Sequence, residues 1–288
     1  MRKALVIALA LVMIVSATFG LTGCGQKIVL GQEMIKYKSQ LDAVVQLDAG
    51  TVDAVIIDSV MGGYYAAQGD YAGKIAVVPD LVFAQEEYGI AGRKEDKAFI
   101  SKINEALIQL ALLGSVADTA AEFGLTDTVA ITGNETDPYA GATDNSWEDI
   151  KASGTIVIGI TIFAPIAYYN GEAAIENLTG FDIELAKSVV AYLNVAYGLD
   201  LTIEFTIIDW NSKEALLENG TIDLVWNGMT ITEKRSEDMC ISLPYLYNKQ
   251  VAVVKAEDVA NYTDEASFAQ AVIGVEAGSA GESVVTGK

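Results

Sequence analysis

The stretch Asp209–Arg235, DWNSKEALLENGTIDLVWNGMTITEKR, decides the fold of this chain. Lys213–Glu218 contains helix formers, and Asn219-Gly220 is a turn signal because glycine adopts the positive φ that ends a helix. Ile222–Trp226 is an apolar run of strand length. The pattern therefore predicts a helix, a tight turn and a buried strand, followed by a polar loop that ends at Arg235.

The polar loop after this strand is the first candidate for a binding site. Asn227-Gly228-Met229-Thr230 leaves the strand at its carboxyl end, where open α/β sheets place their ligands. Arg235 is a cation that can pair with a carboxylate through two hydrogen bonds. The alternative interpretation makes Arg235 a surface residue at a helix start, near Glu233 and Glu237.

The composition excludes several classes of function. The chain has 288 residues, enough for two lobes of about 100 residues each. Its 18 basic and 39 acidic residues give a net charge of −21, which argues against binding to nucleic acid. Histidine is absent, which excludes histidine-based catalytic triads and histidine-ligated zinc. Two cysteines are too few for a cysteine-rich metal site, and we expect neither a metal nor a cofactor.

The N-terminus predicts an export signal in residues 1–23. Arg2 and Lys3 precede the uninterrupted apolar run Ala4–Val15, and Leu21-Thr22-Gly23-Cys24 follows. The alternative, a membrane-spanning anchor, requires about 20 apolar residues. The Leu-Thr-Gly-Cys ending resembles the lipobox of bacterial lipoproteins. That resemblance implies that Cys24 is lipidated and becomes the first residue, which leaves Cys240 as a free thiol.

The rest of the chain shows alternating strand and helix patterns. The predicted strands are Val52–Ile57, Ile75–Val78, Tyr88–Arg93, Thr155–Ile160, Leu201–Ile208, Gln250–Val254 and Val272–Val275. The predicted helices are Lys36–Asp48, Val60–Gln68, Asp96–Leu113, Ser115–Phe123, Phe181–Leu193 and Asp264–Ala271. Thr132–Ser146 has no periodicity and collects Gly, Asn, Asp and Thr, which predicts a linker or surface loop.

Two segments of the chain, one of them in the opening stretch, each match a second segment elsewhere. Leu217–Gly228 aligns without gaps with Leu47–Asp58, and the strand Val157–Ile160 matches Val272–Val275. The repeat predicts two lobes of the same βαβ plan. It places Asp58 opposite Gly228 at a cleft between the lobes, where small-ligand sites tend to lie. The alternative interpretation is that Asp58 only caps the next helix.

The order of the repeated units differs between the two lobes and predicts a circular permutation. The first lobe comprises 147–249 and 86–131, and the second is divided between 28–85 and 250–288. Residues 132–146 are the linker between what would otherwise be the chain ends. Such rearrangements are tolerated where the new ends lie in exposed turns.

Several motifs together resemble one known family. They are Phe163-Ala164-Pro165, Gly180–Ala186, Asp209-Trp210, Asn227–Thr232 with Arg235, Pro244-Tyr245, Gly278-Ser279 and Glu87–Ile90. In permuted order this set resembles the polar amino-acid group of extracytoplasmic solute-binding proteins that serve ABC importers. The resemblance implies an α/β chain with the two-lobed type II periplasmic binding protein fold. Two hinge strands, near Asn248–Val251 and Ala84–Tyr88, would join the lobes.

The resemblance also implies the roles of the charged and polar groups around one free amino acid. Arg235 would bind the α-carboxylate, together with backbone N–H groups at Ser279 and Ala280. Asp58 would bind the α-ammonium, together with the Thr230 hydroxyl. Ser279 has a simpler interpretation as a helix N-cap, which uses the same geometry.

The remaining predicted contacts concern the ammonium and the ligand side chain. The Gly228 carbonyl would add to the ammonium site, and Phe163 and Trp210 would enclose the ligand side chain. The alternative places both aromatic residues in the core. Relatives that bind cationic or amide side chains carry an aspartate three residues before the pocket aromatic, where this chain has Ile160. A polar or neutral ligand side chain is therefore expected.

The implied function is that of an extracytoplasmic, lipid-anchored, monomeric binding protein of the bacterial cell membrane. It would deliver its amino acid to the membrane permease subunits of an ABC importer, without catalysis. Two alternatives remain open at this stage: an enzyme like the prephenate or arogenate dehydratases that use this fold, and a ligand-sensing module. An enzyme would need a general acid in the cleft, and without histidine the candidates are carboxylates such as Asp58.

Overall fold

The computed structural model describes residues 27–288. The predicted export signal, residues 1–23, and Cys24 lie outside the described residues. Within them the strands are β1 Glu33–Tyr37, β2 Ala54–Asp58, β3 Ile75–Arg93, β4 Thr155–Ile160, β5 Tyr168–Tyr169, β6 Leu178–Thr179, β7 Thr202–Ile207, β8 Leu224–Thr230, β9 Met239–Ile241, β10 Leu246–Lys255 and β11 Val272–Glu276.

The helices lie between these strands and pack on both faces of the sheet. They are α1 Gln40–Ala49, α2 Ser59–Ala67, α3 Lys97–Leu112, α4 Ser115–Glu122, α5 Ser146–Ser153, α6 Phe181–Tyr197, α7 Lys213–Glu218, α8 Glu233–Asp238 and α9 Ala280–Thr286. Among the described residues no single helix is long and apolar enough to cross a membrane. The bent pair α3 and α4 meets that requirement together, by length and composition only.

One continuous sheet connects the two halves of the molecule. Its strand order is β1-β11-β2-β10-β3-β8-β4-β7, and β9 pairs with β3. The long strands β3 and β10 are antiparallel and occupy the centre, while the outer strands of each half are parallel. The predicted α/β class is confirmed, and the polypeptide crosses between the halves along β3 and β10.

The two halves repeat one strand arrangement. In one half β4 pairs in parallel with β8, with Ile158 opposite Leu224 and Gly159 opposite Val225. In the other half β11 pairs in parallel with β2, with Ile273 opposite Ala54 and Gly274 opposite Val55. These pairs are equivalent positions of the sequence repeat, so the repeat in sequence corresponds to the same register in both halves.

An aspartate before each repeated strand sets this register. The Asp223 amide donates to the Val157 carbonyl at 2.8 Å, and its carboxylate accepts from the Val157 amide at 2.9 Å. Asp53 makes the same two bonds to Val272, at 2.9 and 2.8 Å. A strand shifted by one residue would lose these bonds and exchange the side chains on its two buried faces. The Gly-Thr-x-Asp sequence shared by both repeats therefore carries the register.

The central strand β3 is longer than the sequence indicated. The predicted strands Ile75–Val78 and Tyr88–Arg93 are parts of the single strand Ile75–Arg93, so the prediction that Pro79 ends a strand is wrong. The register against β10 shifts between Val82 and Val77, and Asp80 in this bulge has a φ of 61°. A bulge accommodates proline because the missing N–H is not needed there.

Tertiary pairing also overrides three other predictions. The predicted loop Asn227–Thr230 belongs to β8, because Tyr88 and Gly89 of β3 pair with its last residues. The beginning of the predicted helix Lys36–Asp48 belongs to β1, which pairs with β11. The predicted helix Asp264–Ala271 is only the 3₁₀ turn Glu265–Phe268, whose capping box at Asp264 closes a single turn.

The segment 132–146 is held against α3 although it forms neither helix nor strand before Ser146. Asp137 accepts hydrogen bonds from Ser101 Oγ at 2.5 Å and Asn104 Nδ2 at 2.6 Å. Asp144 accepts from the backbone N–H of Ala98, in the first turn of α3, at 2.8 Å. This segment therefore joins α4 to α5 through carboxylate contacts rather than through a regular element.

The first and last described segments lie side by side. The Val29 amide donates to the Val285 carbonyl at 2.8 Å, and both segments contact the half that contains β1, β2 and β11. This contact and the order of the repeated units support the division into 28–85 with 250–288, and 147–249 with 86–131. We propose that these are two lobes of a circularly permuted chain, with 132–146 as the linker.

A reordered chain tests this proposal. A protein that runs from residue 132 to 288, continues through a short Gly-Ser linker and ends with 28–131 should fold cooperatively, because it keeps every repeat contact and the Asp137 and Asp144 bonds. We expect the same circular dichroism spectrum and a thermal midpoint within a few degrees of that of the original order.

A chain opened inside α6, between Ser188 and Val189, is the matched control and should be strongly destabilised. A reordered 132–288/28–131 protein that does not fold would contradict the permutation.

Candidate functional site

A cleft lies beside the central strands, and the space in it is about 340 Å³ with the adjoining open solvent included. It brings together all of the predicted ligand-contacting residues: Asp58, Phe163, Trp210, Gly228, Thr230, Arg235, Ser279 and Ala280. It is also lined by residues to which the sequence interpretation assigned no ligand contact: Gln40, Thr161, Ile162, Asn227 and Glu276. Residues separated by more than 200 positions in sequence therefore share one site.

Asp58 is a buried carboxylate at the end of β2, with 4% of its surface exposed. It accepts hydrogen bonds from the Tyr88 hydroxyl at 2.7 Å, from Gln250 Nε2 at 3.0 Å, and from the side-chain amides of Asn248 and Gln40. Burial, followed by the charge of Glu86, raises the pKa of Asp58 to about 7. Asp58 occupies the N-cap position of α2 but makes no side-chain cap bond, so its carboxylate serves the cleft rather than the helix.

A second acid, Glu86, lies near Asp58, on the central strand β3. Its Oε2 accepts from the Thr230 hydroxyl at 3.2 Å and from the amides of Asn248 and Gln250, both at 2.9 Å. These two amides also bond to Asp58, so each amide bridges the two carboxylates through its two N–H donors. Burial raises the pKa of Glu86 as well. Two buried acids with raised pKa values therefore lie close together beside the cleft.

Arg235 begins the opposite, cationic end of the cleft. Its Nη1 donates to the Thr230 carbonyl at 2.7 Å and its Nη2 to the Gly278 carbonyl at 3.1 Å. Among the described residues no carboxylate forms an ion pair with it within 4 Å. Burial lowers the pKa of Arg235 below its usual range. A guanidinium has five N–H donors, so two carbonyl bonds leave donors for a ligand carboxylate.

Gly228 is positioned by a buried carboxylate behind the cleft. Its φ is 58°, and a Cβ at this position would lie 2.7 Å from Cε1 of Phe163. Its N–H donates to Asp182 Oδ2 at 2.8 Å, and the Tyr245 hydroxyl donates to the same oxygen at 2.8 Å. The other oxygen, Asp182 Oδ1, is buried without a partner, and burial raises the pKa of Asp182 to about 7.

The two predicted aromatic residues line the cleft and also pack in the core. Phe163 and Trp210 are 3% and 5% exposed, so the core and cleft interpretations both describe them. Lys213 lies over the Trp210 ring, 4.8 Å from its centroid, and donates to the Gly278 carbonyl at 3.3 Å. Lys213 and Arg235 thus both donate to the Gly278 carbonyl. Because Gly278 lies on the other side of the cleft, these bonds hold the two sides together.

The predicted carboxylate contacts at Ser279 and Ala280 begin α9. The Ser279 hydroxyl caps this helix by accepting from the Glu282 amide at 3.2 Å, as the simpler interpretation expected. The Ser279 amide donates to the Glu276 carbonyl at 3.3 Å within the preceding turn. A ligand carboxylate would therefore compete with this turn for the Ser279 N–H.

The missed residues follow a pattern that is present in the sequence. Glu276 ends the strand β11 in the same way that Asp58 ends β2, and both strand ends reach the cleft. Asn227 belongs to β8, and its side-chain amide lies 2.7 Å from the Thr161 hydroxyl just after β4. A polar residue that directly follows a buried parallel strand is the signal that would have found them. Within residues 27–288 no group of three or more acidic, cysteine or histidine side chains could hold a metal ion.

Comparison with known proteins finds a family match for part of the chain. Residues 156–274 match the family described as bacterial extracellular solute-binding proteins, family 3. The matched segment contains β4, the Phe163 loop, α6, the opening stretch and Arg235, and it ends inside β11. The match supports the expected class of extracellular binding protein, and the type II periplasmic binding protein fold stays a prediction.

Individual relatives cover only parts of the chain. The L-cystine-binding protein TcyJ of Escherichia coli K12 is 30% identical over 106 residues, which are 37% of either chain. The glutamine-binding protein of Geobacillus stearothermophilus is 28% identical over 160 residues, 55% of this chain and 58% of that one. The histidine-bound substrate-binding protein of a Streptococcus pneumoniae ABC uptake transporter is 35% identical over 34% of this chain and 36% of that chain, with a TM-score of 0.28.

The buried Asp182 carboxylate predicts a specific dependence of stability on pH. The pKa of Asp182 is about 7 in the folded state and near 4 when the carboxyl is exposed in the unfolded state. Between about pH 4 and about pH 7 the folded protein therefore binds one more proton than the unfolded protein. The free energy of unfolding should therefore fall as pH rises from about 4 to about 7, by up to about 1.4 kcal/mol per pH unit from this group. Asp182→Asn keeps an oxygen for Gly228 and Tyr245 and should remove this slope.

Urea denaturation of both proteins at pH 4, 5, 6, 7 and 8 measures the difference. Asp149→Asn, an exposed acid on α5, is the matched control and should leave the slope unchanged. A difference between wild type and Asp182→Asn that stays constant with pH would contradict the assignment.

Proposed function

We propose that this protein binds one free amino acid in the cleft and delivers it to the membrane permease of an ABC importer. The observation that carries this proposal is the opposite charge of the two ends of one cleft. A carboxylate acceptor, Asp58, faces one end, and a guanidinium donor, Arg235, faces the other. Free amino acids are zwitterions, and such a cleft binds both charges at once.

The cationic end supports binding of the α-carboxylate. Arg235 is held by two backbone carbonyls, so its position is fixed before a ligand arrives while further N–H groups remain for the carboxylate. Paired guanidinium–carboxylate bonds are charge-assisted and directional. Ala280 and Ser279, across the cleft, are the other proposed donors.

The acidic end supports binding of the α-ammonium. The amides of Asn248 and Gln250 bridge Asp58 and Glu86, and an ammonium would bring a positive charge and three N–H donors to these two acids. The Gly228 carbonyl and the Thr230 hydroxyl lie on the same cleft and complete the proposed ammonium site. Compensation of two buried acids is a physical reason for binding a cationic group there.

The names of the relatives support the ligand class. The relatives that match parts of this chain include proteins named for binding L-cystine and glutamine, and a structure with bound histidine. These ligands share the α-ammonium and α-carboxylate and differ in side chain. The shared groups correspond to the two charged ends of the cleft, and the aromatic residues Phe163 and Trp210 lie at the position proposed for the variable part.

Substitution of Arg235 tests the proposed ligand class. Arg235→Ala should weaken binding of the amino acid by at least about 30-fold, because a buried charge pair that loses one partner costs about 2–5 kcal/mol. The matched control is Lys234→Ala, which removes a neighbouring cation whose side chain is 84% exposed and does not line the cleft.

Isothermal titration calorimetry against the twenty amino acids measures both variants. Methyl esters of the bound amino acid test the same contact from the ligand side and should lose affinity to a similar extent. Full affinity in Arg235→Ala, with an unchanged thermal midpoint, would rule out the carboxylate contact.

We also propose that the mature protein is a monomer anchored outside the cell membrane through a lipid on Cys24. The support is the sequence of the N-terminus alone, since Cys24 precedes the described residues. Cells that express the protein should incorporate labelled palmitate into it, and Cys24→Ser should abolish the label. Cys240→Ser is the control and should keep the label, because Cys240 is a buried core residue. A label that persists in Cys24→Ser would contradict the anchor.

A further inference from the structure

A third acid in the cleft, Glu276, has no role in binding the α-ammonium or the α-carboxylate. It is the last residue of β11, it is 4% exposed, and it lines the same cleft as Phe163 and Trp210. Buried acids are normally paired with a cation or bonded to several donors. The surroundings of Glu276 therefore indicate what the cleft is built to receive.

Few hydrogen bonds and no close cation compensate the buried carboxyl group of Glu276 in the described part of the chain. Its side-chain hydrogen-bond partner is Gln40, whose amide nitrogen is also bonded to Asp58. Among the described residues no lysine or arginine forms an ion pair with Glu276 within 4 Å. The nearest cations act at longer range, because Lys213 is bonded to the carbonyls of Trp210 and Gly278 and to Glu214.

A count of the charged groups also shows that the acids of the cleft are not fully compensated. The ionisable residues that line it are Asp58, Glu276 and Arg235, which sum to one negative charge when all three are ionised. Adding the adjacent Glu86 and Lys213 gives three acids and two bases, again one negative charge. A zwitterionic backbone adds no net charge. A side chain with one positive charge would bring the occupied cleft to neutrality.

The position of Ile160 does not oppose a cationic side chain. The sequence interpretation took this apolar residue as evidence for a polar or neutral ligand. Ile160 is fully buried and does not line the cleft, whereas Glu276 reaches the cleft from the other half of the sheet. An acid on β11 can thus take the place of an acid after β4.

We propose that Glu276 determines specificity and selects an amino acid with a cationic side chain, whose charged end lies against Glu276 and Gln40. This inference rests on the proposed function, because it assumes that Asp58 and Arg235 bind the ammonium and carboxylate. It names the substrate class by its chemistry: an α-amino acid with a guanidinium or ammonium on its side chain.

Burial supports this assignment and shows what binding must change. In the empty cleft, burial and the charge of Asp58 raise the pKa of Glu276 to about 8, so the carboxyl is largely protonated at pH 7. A cationic side chain favours the ionised form and displaces this proton. A neutral side chain leaves the proton in place and gains at most a neutral hydrogen bond, which is weaker than a charge-assisted one.

A pair of ligands with matched shape tests the inference directly. Arginine and citrulline have nearly the same size, but only arginine carries a charge on its side chain. Lysine and norleucine are likewise similar in length, and only lysine is charged. Isothermal titration calorimetry of the full chain should give an affinity at least about tenfold higher for arginine or lysine than for its neutral partner. Glu276→Gln should reduce this ratio to within about threefold.

The control variant is Glu214→Gln, which removes an acid next to Lys213 that is 45% exposed and does not line the cleft. It should keep the wild-type ratio. Thermal melts with and without ligand show whether Glu276→Gln is folded. If that variant does not fold, the ratio of the affinities for the charged and neutral ligands in the wild type still tests the inference.

Equal affinity for the charged and neutral partners in the wild type would overturn the inference while leaving the proposed function intact. A ratio that survives in folded Glu276→Gln would overturn the role of Glu276. Absence of binding to every amino acid of the panel would overturn the proposed function, and this inference with it.

Discussion

The burial of the Asp58 carboxylate is the interaction on which the rest of the site depends. An ion removed from water is costly unless its oxygens are bonded. Here the donors come from Tyr88 on β3, from Asn248 and Gln250 on β10, and from Gln40 on α1. These bonds tie β2 to both central strands. Asp58 therefore joins the ligand site to the strands that connect the two halves.

The same network is the physical basis of the proposed preference for cations. Asn248 and Gln250 bond to Glu86 as well as Asp58, and Gln40 bonds to Glu276 as well as Asp58. The amides therefore bring three buried acids together, and burial raises the pKa of each acid. The charge of Arg235, and for Glu276 that of Lys213, opposes this shift at longer range, while backbone carbonyls hold both cations. An amino acid in the proposed orientation would add its positive charge to a network that ties together the central strands.

The sequence interpretation succeeded where local chemistry repeats. The Gly-Thr-x-Asp segments predicted two equivalent strands, and Asp53 and Asp223 give them the same register in the structure. It failed where long-range pairing outweighs local preference. Pro79 does not end β3, since a bulge against β10 accommodates it, and β1 replaces the start of a predicted helix because it pairs with β11. The sequence interpretation missed Glu276 because it assigned a ligand contact to the acid at the end of one repeated strand, Asp58, and not to the acid at the end of its neighbour, Glu276.

The sequence by itself determined the α/β class, the repeat, the strands that lead to Asp58 and Gly228, and eight of the thirteen residues that line the cleft. Tertiary structure alone decided which charges in that cleft are compensated. Glu86 and Asn248 are 162 positions apart, and no pattern along the chain shows that they are hydrogen-bonded to each other. Burial and hydrogen bonding depend on neighbours in space, so the protonation of Asp58, Asp182 and Glu276 follows from the fold.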